Sequence, residues 1–372
     1  MRTASTRACG PAAVGGGCKG FHGRYAPRMK ATLVDRPHAP LVLTDVPEPP
    51  LAPHAARIEV RATGVCRSDW HAWVGHDPTL TWPHVPGHEF AGVVVEIGAD
   101  VRNVGVGTRV TAPFCCGCGA CPTCQDGHQH LCDHEYQPGF DGWGSFAESV
   151  VVPWADVNAV PLPDALGFDE AAALGCRFMT AFAGLVDHAV LQPGETVAVI
   201  GTGGLGLAAV AIAAAAGAQV AAIDIDDAKL ALARSLGAAF TIDARSVEPV
   251  AAIREAFGVG AHVTVDALGS PQTAAQAVRS LRKRGRHVQL GLLLGEHAAP
   301  PMPMFEVVRR ELRIVGGHGM PARRYPDMLR FVTDRGIDVR AWITARRPLA
   351  EADAAMRDLE AFRTTGFTLL IP

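Results

Sequence analysis

The chain has 372 residues, of which 48% are hydrophobic and 19% charged, with a net charge of −3 at pH 7. That length supports two domains with sizeable cores. The composition is that of a soluble globular protein, and the near-balanced charge, with neither a basic stripe nor an acidic tail, argues against nucleic acid as a partner.

Residues 1–28 are rich in Gly, Ala and Arg, lack any acidic residue and show no periodicity. They read as a disordered leader, although a basic, acid-poor segment would also suit a transit peptide. Met29 opens a first strand. From there to about Val160, short apolar runs at 56–62, 90–97, 109–112 and 146–152 are punctuated by Gly and Pro, which predicts a β-rich domain. An Ala-rich helical texture begins near Phe168. A strand–helix alternation follows, with strands at 196–200 and 219–224, helices at 205–216 and 228–236, and later strands at 263–267, 287–290 and 312–316. This rhythm predicts a parallel sheet covered on both faces. Residues 197–223 carry no charged side chain and are long enough to span a bilayer. They are built from Ala, Gly and Val and broken by a glycine-rich turn, so they read as two buried strands around a helix, and no membrane association is expected. A helix at 325–334 and a last strand at 367–371 are expected to return to the first domain. The predicted division is 29–177 with 319–372 for the β-rich domain and 178–318 for the parallel-sheet domain.

Ten cysteines are many for a chain without a secretory signal. Four of them, Cys118, Cys121, Cys124 and Cys132, fall within fifteen residues at Cys-x2-Cys-x2-Cys-x7-Cys spacing, which suits a tetrahedral zinc with no open position. An iron–sulfur run would place its fourth cysteine closer and follow it with proline. A disulfide framework would need an oxidising compartment. Cys115 also stands two residues before Cys118's neighbour Gly117, so Cys115-x2-Cys118 leaves the register open on spacing alone, and the lobe is bounded at 115–132. A looser set, Cys66, His88 and Cys176, offers three ligands and a free fourth place, the pattern of a catalytic zinc.

Gly201-Thr-Gly-Gly-Leu-Gly206 follows an apolar strand and opens an Ala-rich helix, the setting in which such a turn cradles a dinucleotide pyrophosphate. Gly201 permits the tight turn, Gly203 the approach of backbone to phosphate, and Gly206 close helix–strand packing. Gly204 and Leu205 complete the turn. Asp224, at the end of the next strand, suits an adenosine ribose and would repel a 2′-phosphate, favouring NAD over NADP; its plainer reading is a cap of the following helix. Lys229 lies within reach of the same ribose.

Together the segments Gly64-Val-Cys-Arg-Ser-Asp-Trp-His71 and Pro86-Gly-His-Glu-Phe-Ala-Gly92, the cysteine lobe, Gly175-Cys176 and the glycine-rich turn resemble the zinc-dependent alcohol dehydrogenases of the medium-chain dehydrogenase/reductase superfamily, over 29–372. The resemblance implies a GroES-like β-rich catalytic domain beside a Rossmann NAD-binding domain. It implies two zinc ions per chain, a catalytic one on Cys66, His88 and Cys176, and a structural one on Cys118, Cys121, Cys124 and Cys132. The activity implied is reversible oxidation of a primary or secondary alcohol to an aldehyde or ketone, by hydride transfer from a zinc-bound alkoxide to NAD. Ser68 and His71 are then the proton relay, Asp69 a support of His88, Glu89 an exchanging ligand beneath the zinc, and Arg67 a pyrophosphate contact. Phe114, Trp143 and Leu292, with Trp70, Trp73 and Phe140, would line an apolar pocket for a small or slender substrate. A cytoplasmic homo-oligomer, dimer or tetramer, is expected. One departure stands out: where many relatives carry a Gly-Arg pair that binds cofactor phosphates, this chain has Gly366-Phe367, leaving Arg346, Arg347 or Arg363 to substitute. The alternatives are a polyol dehydrogenase of the same superfamily, a non-redox zinc enzyme, or a catalytically silent NAD(H)-binding protein.

Overall fold

The computed structural model describes residues 27–372. The leader expected at 1–28 lies outside the described residues except for its last two positions, and Arg28 already belongs to a strand. Strands β1 (Arg28–Leu33) and β2 (Val42–Pro47) form an antiparallel ribbon. Next come β3 (Ala56–Gly64), β4 (Glu89–Ile97), β5 (Arg109–Thr111), β6 (Ser149–Val152) and β7 (Val160–Pro161). The parallel region contributes β8 (Thr196–Ile200), β9 (Gln219–Asp224), β10 (Phe240–Asp243), β11 (Ala261–Asp266), β12 (Leu281–Gln289) and β13 (Arg313–Gly316), and the chain ends with β14 (Ile343–Pro348) and β15 (Phe367–Ile371).

The first sheet has the order β14-β15-β3-β4-β5-β7, with β6 also paired to β3. Its last strand in sequence, β15, runs antiparallel to β3, so the C-terminus does return to the β-rich region. The second sheet is parallel throughout, in the order β10-β9-β8-β11-β12-β13. It grows outward from β8 in both directions. The chain leaves β8 and β11 on opposite sides, opening a crevice beyond their C-terminal ends, where open α/β sheets bind ligands.

Composition accounts for this arrangement. Val197, Ala198, Val199 and Ile200 are buried on both faces of β8, as the strand of a sheet covered by helices must be. The helix Gly204–Ala215 that follows is buried from Gly206 to Ala213. Small residues on every side let it lie close to the sheet, which explains a charge-free stretch without a bilayer. Among the described residues no helix is long and apolar enough to cross a membrane. The largest hydrophobic cluster runs from Phe114 and Phe178 through Val197 and Val199 to Trp342 and Phe367, so the two sheets share one core.

Several elements differ from expectation. The run 146–152 is strand only from Ser149, because the backbone N–H groups of Ser145 and Phe146 donate to the carbonyls of Gly87 and Pro86. β12 starts at Leu281, through Arg282-Lys-Arg, where neighbouring strands rather than hydrophobicity impose the extended form. β2, β10, β14 and the helices Pro249–Phe257 and Pro271–Ser280 were not anticipated. Both helices carry proline in the first turn and a capping side chain before it, Glu248 and Ser270.

Candidate active site

Cys66 stands at the end of β3, where its backbone N–H donates to Asp69 Oδ2 at 2.9 Å and begins the helix Arg67–Trp73. The other oxygen, Asp69 Oδ1, accepts from the Gly87 N–H at 3.1 Å and from His88 Nδ1 at 2.9 Å. One buried carboxylate thereby ties two loops together and settles the histidine tautomer: the proton sits on Nδ1 and the lone pair on Nε2. His88 Nε2 is fully buried and has no hydrogen-bond partner. An orphaned nitrogen of this kind needs an explanation. The ligand atoms of Cys66, His88, Glu89 and Cys176 all lie within 4.8 Å of one another. Two sulfurs and an imidazole lone pair facing one point are a zinc donor set, and a metal ion there would satisfy the orphan. Hydrogen bonding from Cys176 holds the Cys66 thiol well below its ordinary pKa against the opposing effect of burial, and the same contact pushes Cys176 up.

Cys176 opens the helix Cys176–Phe182. Glu89, the first residue of β4, lies fully buried behind this cluster. Its Oε1 accepts from the Arg177 backbone N–H at 3.1 Å and from Arg177 Nε at 2.9 Å, and its Oε2 accepts from Arg177 Nη2. Burial raises the Glu89 pKa and Arg177 opposes the rise. Sequence reading did not single out Arg177, although a charge directly after a ligand cysteine, in Cys-Arg-Phe-Met-Thr-Ala-Phe, was the available signal.

Ser68 Oγ lies 3.8 Å from Cys66 Sγ. His71 lies on the same helix, and its Nδ1 is 2.9 Å from Nδ1 of His76, a residue the sequence reading passed over. The signal was Gly75, at φ +80°, which ends the helix and turns the chain so that the His76 N–H donates to the His71 carbonyl. Burial, and then the neighbouring His76, bring the His71 pKa down to about 4.

Phe114 and Phe140 meet the His88 ring edge-on, at 6.0 and 5.5 Å between centroids. Trp70 packs on His71 and His76. Trp143 is partly buried against the cluster containing Phe146, and Leu292 is exposed. Trp73 departs from expectation. It is a core residue whose Nε1–H donates to the Ala39 carbonyl at 2.7 Å, so it lines no pocket.

The sulfurs of Cys118, Cys121, Cys124 and Cys132 also lie within 4.8 Å of one another. Backbone N–H groups of Ala120 and Cys121 donate to Cys118 Sγ, and those of Cys118 and His134 to Cys132 Sγ; against burial these bonds bring Cys118 down to about 6, whereas burial keeps Cys132 raised. Cys115 and Cys116 are absent from the group. They are buried in apolar surroundings, and burial pushes Cys115 up to about 12, so the cysteine lobe begins at Cys118 rather than at 115.

In the glycine-rich turn, Gly201 has φ +86°. A Cβ on Gly203 would meet nothing within 4 Å, whereas one on Gly206 would fall 1.8 Å from the Gly201 carbonyl oxygen. Leu205 is half-buried against the shared core. Asp224 Oδ2 accepts from the Thr202 N–H at 2.6 Å and the Thr202 hydroxyl at 2.9 Å, which pins the turn to the end of β9. The helix cap is Asp226, not Asp224, accepting from the N–H groups of Ala228 and Lys229. Lys229 Nζ lies 3.7 Å from Asp226. The Arg67 guanidinium lies between the rings of Trp70 and Phe362, with Nη1 buried and unpaired. Arg346 is paired with Asp169, and Arg347 and Arg363 share Asp358, so all three expected substitutes for the missing arginine are already engaged.

Two family models match the chain. Residues 52–164 match the alcohol dehydrogenase GroES-like domain, and residues 204–334 match the zinc-binding dehydrogenase domain. An alcohol dehydrogenase of Rhizobium meliloti (strain 1021) is 38% identical over 291 residues, 77% of this chain and 83% of that protein. The structure of an alcohol dehydrogenase from Thermus sp. ATN1 superposes with a TM-score of 0.85 at 29% identity, covering 92% of this chain and 99% of the other. A structure from Sinorhizobium meliloti 1021, solved bound to NADP, superposes with a TM-score of 0.82 at 31% identity, covering 93% of this chain and all of the other.

Proposed function

The chain belongs to the zinc-binding alcohol dehydrogenase family of the medium-chain dehydrogenase/reductase superfamily, and on that premise we propose that it interconverts a small primary or secondary alcohol and the matching aldehyde or ketone, with NAD(H) as the hydride carrier. The observation that carries this reading is the orphaned Nε2 of His88, aimed among the sulfurs of Cys66 and Cys176 with the Ser68 hydroxyl alongside.

Cys66, His88 and Cys176 would hold the catalytic zinc, whose Lewis acidity lowers the pKa of an alcohol and polarises a carbonyl. The chain's own residues do the rest. Asp69 keeps the His88 proton on Nδ1, so that Nε2 stays a donor of electrons. Glu89 lies behind the ligands, held there by Arg177. Ser68 Oγ takes the proton leaving the substrate hydroxyl, and His71 with His76, their Nδ1 atoms 2.9 Å apart, is placed to carry a proton on to solvent. A His71 pKa of about 4 keeps that ring neutral and able to accept. Phe114 and Phe140 form a water-excluding wall beside His88, which suits a slender apolar substrate. Gly201, Gly203, Gly204, Leu205 and Gly206 present the helix start to a pyrophosphate, with Arg67 beside it. Asp224 accepts from the adenosine ribose, and Lys229 lies near; a carboxylate there disfavours a 2′-phosphate, so NAD is preferred over NADP. Cys118, Cys121, Cys124 and Cys132 would hold a second zinc that braces the loop.

Thiolate ligands require a reducing compartment, which favours the cytoplasm. Strand β13 forms an edge of the parallel sheet, and the helix Met304–Arg310 that precedes it exposes Met304, Phe305 and Val308. That surface is consistent with a homo-oligomer assembled from this domain.

The test is to assay zinc-replete protein with NADH or NADPH against a panel of aldehydes and ketones, with and without a chelator. Chelator-sensitive loss of NADH supports the reading. Silence with both cofactors, with zinc bound and NADH binding demonstrated, would overturn it in favour of a silent dinucleotide-binding protein.

A further inference from the structure

Arg177 directs only part of its guanidinium at Glu89. Nε and Nη2 donate to that carboxylate, while Nη1 makes no hydrogen bond among the described residues. The residue is 8% exposed, and its guanidinium carbon lies over Phe367, 3.6 Å from the ring centroid. Nη1 lies beside Gly204, at the start of the helix Gly204–Ala215. A Cβ on Gly204 would stand 2.6 Å from Arg177 Cδ, 2.9 Å from Nη1 and 2.9 Å from Phe367 Cε1. Gly204 is not one of the three glycines the dinucleotide turn needs, and this approach explains it. The neighbouring Gly203 borders open space.

A buried cation against a helix N-terminus is electrostatically unfavourable, because the first turn already carries about half a positive charge. That penalty vanishes if an anion lies between Nη1 and the helix N–H groups. We propose that Arg177 Nη1 binds the diphosphate of the dinucleotide at the start of this helix. The proposal rests on the dinucleotide reading of the turn. Phe367 occupies the place of the usual arginine and forms the apolar platform on which Arg177 lies, while Arg346, Arg347 and Arg363 are held by Asp169 and Asp358. The same side chain grips Glu89 behind the metal ligands, so cofactor phosphate and metal site share one residue.

Removing Arg177 alone would strand the buried Glu89 carboxylate and threaten folding. The comparison therefore uses full-length, zinc-replete Glu89→Gln against Glu89→Gln/Arg177→Leu, which leaves no buried charge behind. NADH and ADP-ribose affinities are read by fluorescence and calorimetric titration, with zinc content and thermal unfolding measured alongside. Loss of a charge-assisted contact should weaken both ligands about 10–100-fold, and Glu89→Gln/Arg177→Lys, which restores a cation on a similar stem, should recover part of that loss. Equal affinities in the single and the Leu double variant, with fold and zinc retained, would overturn the assignment of Arg177 alone. Wild-type protein that binds neither NADH nor ADP-ribose would overturn the dinucleotide reading and this proposal with it.

Discussion

Asp69→Asn isolates the link between a hydrogen-bond network and metal affinity. The substitution keeps shape and volume but replaces one acceptor oxygen with a donor. Three buried donors converge on the native carboxylate: the Cys66 N–H on Oδ2, and the Gly87 N–H and His88 Nδ1–H on Oδ1. An asparagine oxygen can serve one side only. If it faces His88, its amide opposes the Cys66 N–H. If it faces Cys66, the amide opposes the Gly87 N–H and drives the His88 proton to Nε2, removing the lone pair meant for the metal. One or two donors are left unsatisfied, at about 1–3 kcal/mol each, against a total stability of about 5–15 kcal/mol. The variant should therefore fold but be weakened. Loss of a group that orients a metal-ligating histidine typically lowers affinity about 10–100-fold. Zinc per chain, measured by mass spectrometry after equilibration across a chelator series, should show one zinc leaving at about 10–100-fold lower chelator strength than in wild type. The other zinc, on the four-cysteine lobe, should be retained as before. Superimposable release curves for both ions would refute the reasoning.

Other consequences can be measured on the same protein. Cys66→Ser should abolish turnover while circular dichroism stays native; full activity in that variant would remove Cys66 from the metal site. Asp224→Ala should weaken NADH and move the NADH/NADPH preference towards NADPH, since it removes a negative charge and frees the Thr202 N–H and hydroxyl; an unchanged ratio would count against a ribose role. His76→Gln should raise the His71 pKa above about 4, because a like-charged neighbour is removed while burial, the larger cause, remains. The acid limb of kcat/KM should move to higher pH accordingly, and an unmoved limb would take His71 out of the proton path. The stability effect has a definite sign. The folded value lies below the unfolded one, so the unfolded chain binds the extra proton and stability is lost as pH falls from about 6.5 towards 4.

Features set by local spacing were legible in the sequence. Strands β8, β9 and β15 and the helix Tyr325–Asp334 fall where the residue pattern placed them, because buried parallel strands and strongly amphipathic helices leave a periodic trace. The four-cysteine loop and the glycine turn were legible for the same reason, since both restrict residue type at fixed offsets, whereas Cys66, His88 and Cys176 lie far apart in the chain and were joined only through the family resemblance. Elements decided by neighbours were not. β10 and β14 are short and half-exposed, and β12 begins in a run of arginine and lysine, so no periodicity marks them. Direction was also invisible. Trp70 and Trp73 look alike in sequence, yet one packs on His71 and the other anchors the core through the Ala39 carbonyl. Arg346, Arg347 and Arg363 looked available until their acidic partners, some of them far off in the chain, came into view.

The placement of charge behind the metal ligands links these points. Glu89 is fully buried, and a lone buried carboxylate would rather take up a proton than remain ionised. Arg177 opposes that preference with two side-chain donors, without overcoming burial, and its backbone N–H adds a third bond to the same carboxylate. The arginine can be there only because Cys176 begins a helix directly after Gly175, and because Phe367, delivered by the C-terminal strand, offers a flat apolar face for the guanidinium. An arginine at position 367 would place a second cation against the first, beside a helix start that is itself positive. Phe367 and the arginine directly after Cys176 are thus one structural choice. Phe367→Arg is expected to destabilise the protein rather than tighten NADH binding, and a variant that both folds with wild-type stability and binds NADH more tightly would show the two positions to be independent.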